Sequence, residues 1–146
     1  MKAALTRANA FCERFGLHDL HSRSIKIADY HLAALGYSNP TPFNTPGEYT
    51  EQELAERLQP FQSLEPLILI CHCPPKDTKL DRAGEAQHFG STAIREFIEQ
   101  KQPVYFCCGH IHEAEGAHEI FGRTQAWNVG KRGVMLDLSP DSEPRG

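Results

Sequence analysis

With 146 residues, 40% hydrophobic and 23% charged, the chain has the size and balance of one globular domain with a single core. Its formal net charge of -4 argues against a dedicated nucleic-acid binder. No apolar run approaches the roughly 18 residues of a membrane span, and the N-terminus lacks a signal-peptide pattern.

Residues 1–16 are predicted to be a helix, with Leu5, Ala8, Phe11, Cys12 and Phe15 near helical spacing and Gly16 as the stop. Ser24–Ile27 and Tyr30–Leu35, separated by Ala28-Asp29, predict a hairpin. The Pro- and Gly-rich stretch from Gly36 to Gly47 predicts a surface loop. Thr50 with Glu53 forms a capping box for a helix over Glu51–Leu58, and Pro60 lies beyond its end. Leu67–Cys71 is a continuous apolar run, the pattern of a strand covered on both faces. Residues 72–90 are predicted to be a long loop, after which Ser91 caps a helix over Thr92–Gln100. Val104–Cys108 predicts a second buried strand. The crossover between the two apolar strands makes them parallel and adjacent. Antiparallel strands are expected at Ala117–Phe121, Thr124–Val129 and Gly133–Leu138. One domain over residues 1–138 and a polar tail over 139–146 complete the expected organisation.

The chemistry concentrates where the apolar strands stop. Leu67–Cys71 runs directly into His72, and the second strand runs into Cys107-Cys108-Gly109-His110-Ile111-His112-Glu113. Parallel neighbours about 4.8 Å apart end at the same sheet edge, where open α/β sheets bind their ligands. Imidazoles just past those ends can share a zinc-like ion at about 2.0–2.1 Å. His72 and His110 form the expected pair, and His112 serves the same ion or a second one about 3.5–4 Å away. A glycine at 109 is expected to supply the sharp turn.

These residues resemble the C-terminal half of the calcineurin-like metallophosphoesterases, in the form found in small bacterial and archaeal phosphoesterases. The resemblance rests on His72 in Ile70-Cys71-His72-Cys73-Pro74-Pro75 and on Gly109-His110-Ile111-His112. Gly90-Ser91 opening a helix, Asn128-Val129-Gly130 after a strand, and the loop from Asn39-Pro40-Thr41-Pro42-Phe43 to Thr45-Pro46-Gly47 extend it. It implies a partial metallophosphoesterase α/β sandwich with flanking helices and C-terminal antiparallel strands, the family's N-terminal strands being absent. It further implies two divalent transition metal ions (Mn, Fe, Zn or Ni), with His72 and His110 on one and His112 on the other. The implied reaction is hydrolysis of a small phosphomono- or diester, as in a phosphatase or phosphodiesterase, by metal-activated water.

The family's Gly-Asp and Gly-Asn-x-Asp motifs do not occur. Asp19-Leu20-His21 is a formal Asp-x-His, but no apolar strand precedes it. The expected site is therefore only its histidine-rich half, impaired alone, with the edge of Leu67–Cys71 left open to self-association or to a complementing N-terminal half. Two alternatives stand beside it: a non-catalytic metal-binding or interaction module, and a structural Cys/His zinc site using Cys71, Cys73, Cys107 and Cys108. The 5 cysteines, odd in number with Cys12 apart, are no disulfide framework, so a reducing cytoplasm is expected. His88, just before the helix that Ser91 opens, and Gly109 are candidate substrate-binding residues. Glu113, Glu115, His118, Asp77 and Asp81 are expected to be solvated loop residues, His18 and His31 surface or packing residues, and Trp127 core.

Overall fold

A computed structural model describes residues 2–139; Met1 and most of the expected polar tail, residues 140–146, lie outside them. The chain is mixed α/β: helix α1 (Lys2–Phe15), strands β1 (Arg23–Ile27) and β2 (Tyr30–Leu35), helix α2 (Glu51–Leu58), strand β3 (Leu67–Cys71), the two-residue strands β4 (Arg82–Ala83) and β5 (Gln87–His88), helix α3 (Thr92–Lys101), and strands β6 (Tyr105–Cys108), β7 (His118–Phe121) and β8 (Thr124–Asn128). Among the described residues no helix is long and apolar enough to cross a membrane.

Local signals place most of these elements. Gly16 takes a left-handed φ of 64° and ends α1, the Leu17 N–H reaching the Cys12 carbonyl at 2.8 Å. At α2 the Thr50 hydroxyl accepts the Glu53 N–H, and the Glu53 carboxylate accepts the Thr50 N–H. Ser91 caps α3 by accepting the Ile94 N–H.

Six strands form one sheet in the order β1-β2-β3-β6-β8-β7, and β4 with β5 makes a separate ribbon inside the 72–90 segment. The hairpin β1–β2 and the pair β7–β8 are antiparallel; β2, β3, β6 and β8 run parallel to one another. Helices α2 and α3 pack side by side on one face, where Ala33, Leu35, Leu69, Cys71, Phe106 and Cys108 meet Leu54, Leu58, Ile94 and Ile98. The opposite face is barer: Ile70 is 40% exposed, so β3 is not covered on both sides along its whole length.

Three expectations fail here. β3 has no open edge, because β2 pairs with it on one side and β6 on the other. The sequence pattern shows β2 as half of a hairpin, but its second edge is free to accept the strand that returns through α2. Gly133–Leu138 is no strand: it joins no sheet ladder among the described residues, and Met135 is 94% exposed. Its apolar residues therefore have no sheet face to fill. The 72–90 segment is no featureless loop, since the ribbon and a turn of 3-10 helix at Lys79–Asp81 order it.

Candidate metal centre

Adjacent parallel strands deliver the histidines. Beyond the ladder of β3 and β6, the His72 N–H donates to the Leu35 carbonyl at 3.0 Å and the Gly109 N–H to the His72 carbonyl at 3.0 Å. The backbone on either side of the site thus continues the sheet, and both side chains emerge at one rim. His72 Nε2 lies 3.0 Å from His110 Nδ1, with the rings edge-on and their centroids 4.8 Å apart.

The turn belongs to His110, not to Gly109. His110 sits at φ 67°, the left-handed region that costs a non-glycine residue roughly 1–2 kcal/mol. Asn128 holds it there. This wholly buried side chain, at the end of β8, donates from its amide nitrogen to the Gly109 carbonyl at 3.2 Å and the Ile111 carbonyl at 3.0 Å. The same nitrogen reaches the Leu80 carbonyl at 2.9 Å, and the amide oxygen accepts the Gly130 N–H at 3.1 Å. The peptide group before His110 and the one after Ile111 are therefore both held by one residue, and the Ile111 N–H closes the turn onto the Gly109 carbonyl at 2.8 Å. The sequence marked Asn128 only as a motif position; what it grips lies far away in the chain.

Burial holds the imidazoles of His72 and His110 below their ordinary pKa, and the neighbouring histidines push the same way: His112 on His72, and His72 and His112 on His110. Both are neutral at pH 7, the form whose ring nitrogen has a lone pair to give. Two nitrogens each bonded to one tetrahedral ion at about 2.0–2.1 Å lie about 3.3 Å apart. The observed 3.0 Å needs only a small opening of the pair, so the two donors fit an ion. The rest of a coordination sphere is not assembled: among the described residues no group of three His, Cys, Asp or Glu side chains is placed to hold a metal. His112, exposed at the start of a short 3-10 turn, shares a surface hollow with His110.

The nearby carboxylates are committed elsewhere. Glu113 accepts the Gly84 N–H at 2.6 Å, and Glu115 accepts the Lys131 N–H at 2.8 Å and pairs with Arg132 at 3.0 Å. His118 stacks on the half-buried Trp127, their ring centroids 4.8 Å apart. His21 is a structural histidine: its Nδ1 accepts the Gly36 N–H at 3.1 Å and its Nε2 meets the Tyr49 hydroxyl at 3.0 Å. Asp19 accepts the His21 N–H at 3.0 Å, so the formal Asp-x-His is a local turn.

Asp81 corrects the expectation of a solvated residue. It is fully buried and accepts backbone N–H groups from Asp77 at 3.1 Å, Thr78 at 2.9 Å and Gly90 at 2.8 Å. His88 Nδ1 completes the set at 2.7 Å. The Thr78-x-x-Asp81 spacing, itself a capping box, was the sequence signal for it. His88 therefore faces Asp81, while the first turn of α3 is served by Glu51, which takes the Ser91 hydroxyl at 2.7 Å and the Ala93 N–H at 2.8 Å.

The four clustered cysteines are buried. Burial pushes the Cys73 thiol up to about 12 and Cys107 up to about 11, and raises Cys71 and Cys108 as well. Buried in this way, the thiols pack as small hydrophobes among the core side chains.

Comparison with known proteins bears on the family and the fold. The family model described as calcineurin-like phosphoesterase matches residues 6–114. An uncharacterized protein of Methanocaldococcus jannaschii, MJ1162, is 42% identical over 116 residues, which are 76% of this chain and 53% of that protein. The chain thus spans about half the length of this relative. One crystal structure superimposes with a TM-score of 0.70 at 21% identity, covering 89% of this chain and 52% of the other. The crystal structure of TT1561 of Thermus thermophilus does so with a TM-score of 0.56 at 17% identity, covering 84% and 54%. At these identities the two structures speak to the fold alone.

Proposed function

The chain belongs to the calcineurin-like phosphoesterase family, a family of metal-dependent phosphoesterases, and from that premise we propose that its sheet rim is the histidine half of a two-metal phosphoesterase site. The observation that carries the proposal is the meeting of His72 Nε2 and His110 Nδ1 at 3.0 Å where two parallel strands end. His72 and His110 hold one divalent ion, and His112 belongs to the second. Manganese, iron, zinc and nickel all suit imidazole nitrogen. Such an ion, when bound, draws charge from a phosphoryl oxygen and lowers the pKa of water.

The chain's own residues do the positioning. Asn128 fixes the backbone around His110, and the neutral imidazoles leave the ion's charge undiminished for an anionic ester. Gly109 leaves its surroundings open, with nothing within 4 Å of where a Cβ would stand, so an ester oxygen can approach the backbone there. Asp81 fixes the tautomer of His88, leaving Nε2 as the nitrogen that meets a substrate.

The missing carboxylate ligands come, in this reading, from a further segment, either covalently attached or a separate chain, including another copy. An open cleft of about 400 Å³ on the bare sheet face, lined by His72, Ile70, Cys107 and Val129, supports this by offering that segment an apolar seat beside the metal pair. Residues 2–139 alone then hydrolyse phosphoesters slowly but above background, whether mono- or diester. The unbridged cysteines suit a cytoplasmic setting.

Elemental analysis after zinc or manganese loading tests the reading. We expect bound metal in the wild type, and a loss of tenfold or more in affinity with His72→Ala and with His110→Ala. Metal that stays put in both variants, or never binds, refutes the assignment. The lack of a third ligand among the described residues favours one other reading, a non-catalytic metal-binding module. Hydrolysis of bis(4-nitrophenyl) phosphate decides between them: a rate above background that falls with His110→Ala supports the phosphoesterase, and equal background rates support the module.

A further inference from the structure

Beside His110 and His112 lies a second hollow of about 400 Å³, within the range of about 300–1,000 Å³ typical of ligand pockets. Three segments far apart in the chain form it: Pro40–Phe43 from the loop before α2, Ala83 from the ribbon with Phe89 just after it, and His110–Glu113 from the histidine rim. Its wall exposes two aromatic rings, Phe43 at 83% and Phe89 at 40%.

Three observations make this more than a surface dent. The walls are tied together, since the Asn39 amide donates to the Phe89 carbonyl at 3.0 Å and to the Gly90 carbonyl at 3.1 Å. The Phe43 loop is closed on itself by Glu48, which accepts the Thr45 N–H at 2.8 Å, the Thr45 hydroxyl at 2.7 Å and the Thr41 hydroxyl. The hollow is also chemically graded. No Lys or Arg lines it, so its proline and phenylalanine walls offer a phosphate no charge partner. Only its histidine end suits an anion held by metal. The apolar end then takes whatever uncharged group the phosphate carries.

We propose that this hollow is the leaving-group subsite of the phosphoester site, and that it receives a planar aromatic group, an aryl ring or a nucleobase, against Phe43 and Phe89. The proposal rests on the phosphoester reading above. An aromatic wall discriminates such groups from alkyl or sugar ones because ring faces and edges attract each other beyond the area they bury. Stacking of a base on an aromatic side chain is worth about 1–3 kcal/mol, so removing one ring costs about tenfold in affinity.

The test is an NMR titration of the zinc-loaded, isotope-labelled chain with two matched pairs: phenyl phosphate against ethyl phosphate, and adenosine 5'-monophosphate against ribose 5-phosphate. We expect the aromatic member of a pair to bind about tenfold more tightly, with shifts at Ala83, Phe89 and Ile111. The advantage should shrink in Phe43→Ala and vanish in Phe43→Ala/Phe89→Ala, at unchanged zinc content. The pair with the larger advantage shows whether the group is a simple aryl ring or a base. Aromatic and non-aromatic esters binding equally, or an advantage that survives the double substitution, overturns the subsite. Zinc content on the same samples separates the failures: zinc present without aromatic preference sinks the subsite alone, and no zinc sinks the phosphoester reading on which it rests.

Discussion

Asn128→Ala tests whether one buried amide sets the geometry of the metal rim. The substitution strips a partner from the Leu80, Gly109 and Ile111 carbonyls and from the Gly130 N–H. The bond to Leu80 is wholly buried, and losing it leaves an unsatisfied acceptor worth about 1–3 kcal/mol. The other three groups are part-buried, and water can reach them at a smaller cost. The expected destabilisation is about 2–4 kcal/mol, a large share of the roughly 5–15 kcal/mol of an ordinary domain. Released from its clamp, His110 relaxes from φ 67°, and its Nδ1 leaves His72. Zinc affinity should then fall at least tenfold although no proposed ligand has changed. Asn128→Asp is the sharper probe. It keeps shape and volume but sets a carboxylate oxygen against three carbonyls, so it should be the more damaging at pH 7. Urea unfolding and zinc titration of both variants check this. A cost under about 1 kcal/mol with zinc affinity intact would refute the clamp.

Other consequences follow from the same structure. Asp81→Ala leaves three backbone N–H groups and His88 without their acceptor, and should cost about 3–5 kcal/mol in urea unfolding, against about 1 kcal/mol for His88→Ala; equal costs would contradict the central role of the carboxylate. Glu48 has its carboxyl lowered to about 2 by hydrogen bonds from the Thr41 and Thr45 hydroxyls. A depressed carboxylate pKa stabilises the fold above its unfolded value and loses that effect as pH falls, so the Thr45 amide resonance of the folded protein should titrate with its midpoint near pH 2 and stay still above about pH 4. A Thr45 signal that titrates near pH 4.5 would show the loop to be open. In the folded protein, Ellman's reagent at pH 8 should modify Cys12 and spare the four buried thiols, with all five reacting in urea; rapid reaction of Cys71 or Cys73 without denaturant would contradict the packing.

Much of the chain was legible because the signals act over a few residues. The Thr50–Glu53 box, the Ser91 cap, the left-handed stop at Gly16 and the apolar runs at Leu67–Cys71 and Val104–Cys108 each depend on neighbours within about a turn. The crossover rule then made the last two strands parallel, and that was enough to bring His72 and His110 to one rim. The rest depends on surfaces that meet only after folding. The second edge of β2, the irregular backbone of Gly133–Leu138, the burial of Asp81 and the grip of Asn128 on the turn at His110 join residues whose sequence separation carries no periodic trace. The aromatic hollow is assembled from three such segments. Amino-acid order by itself chose the elements and the side chains proposed as metal ligands, through local backbone preference and hydrophobic period. Tertiary packing alone decided which polar groups are buried, which strand edges are filled and what shape surrounds the site, because those outcomes depend on complementarity between distant surfaces.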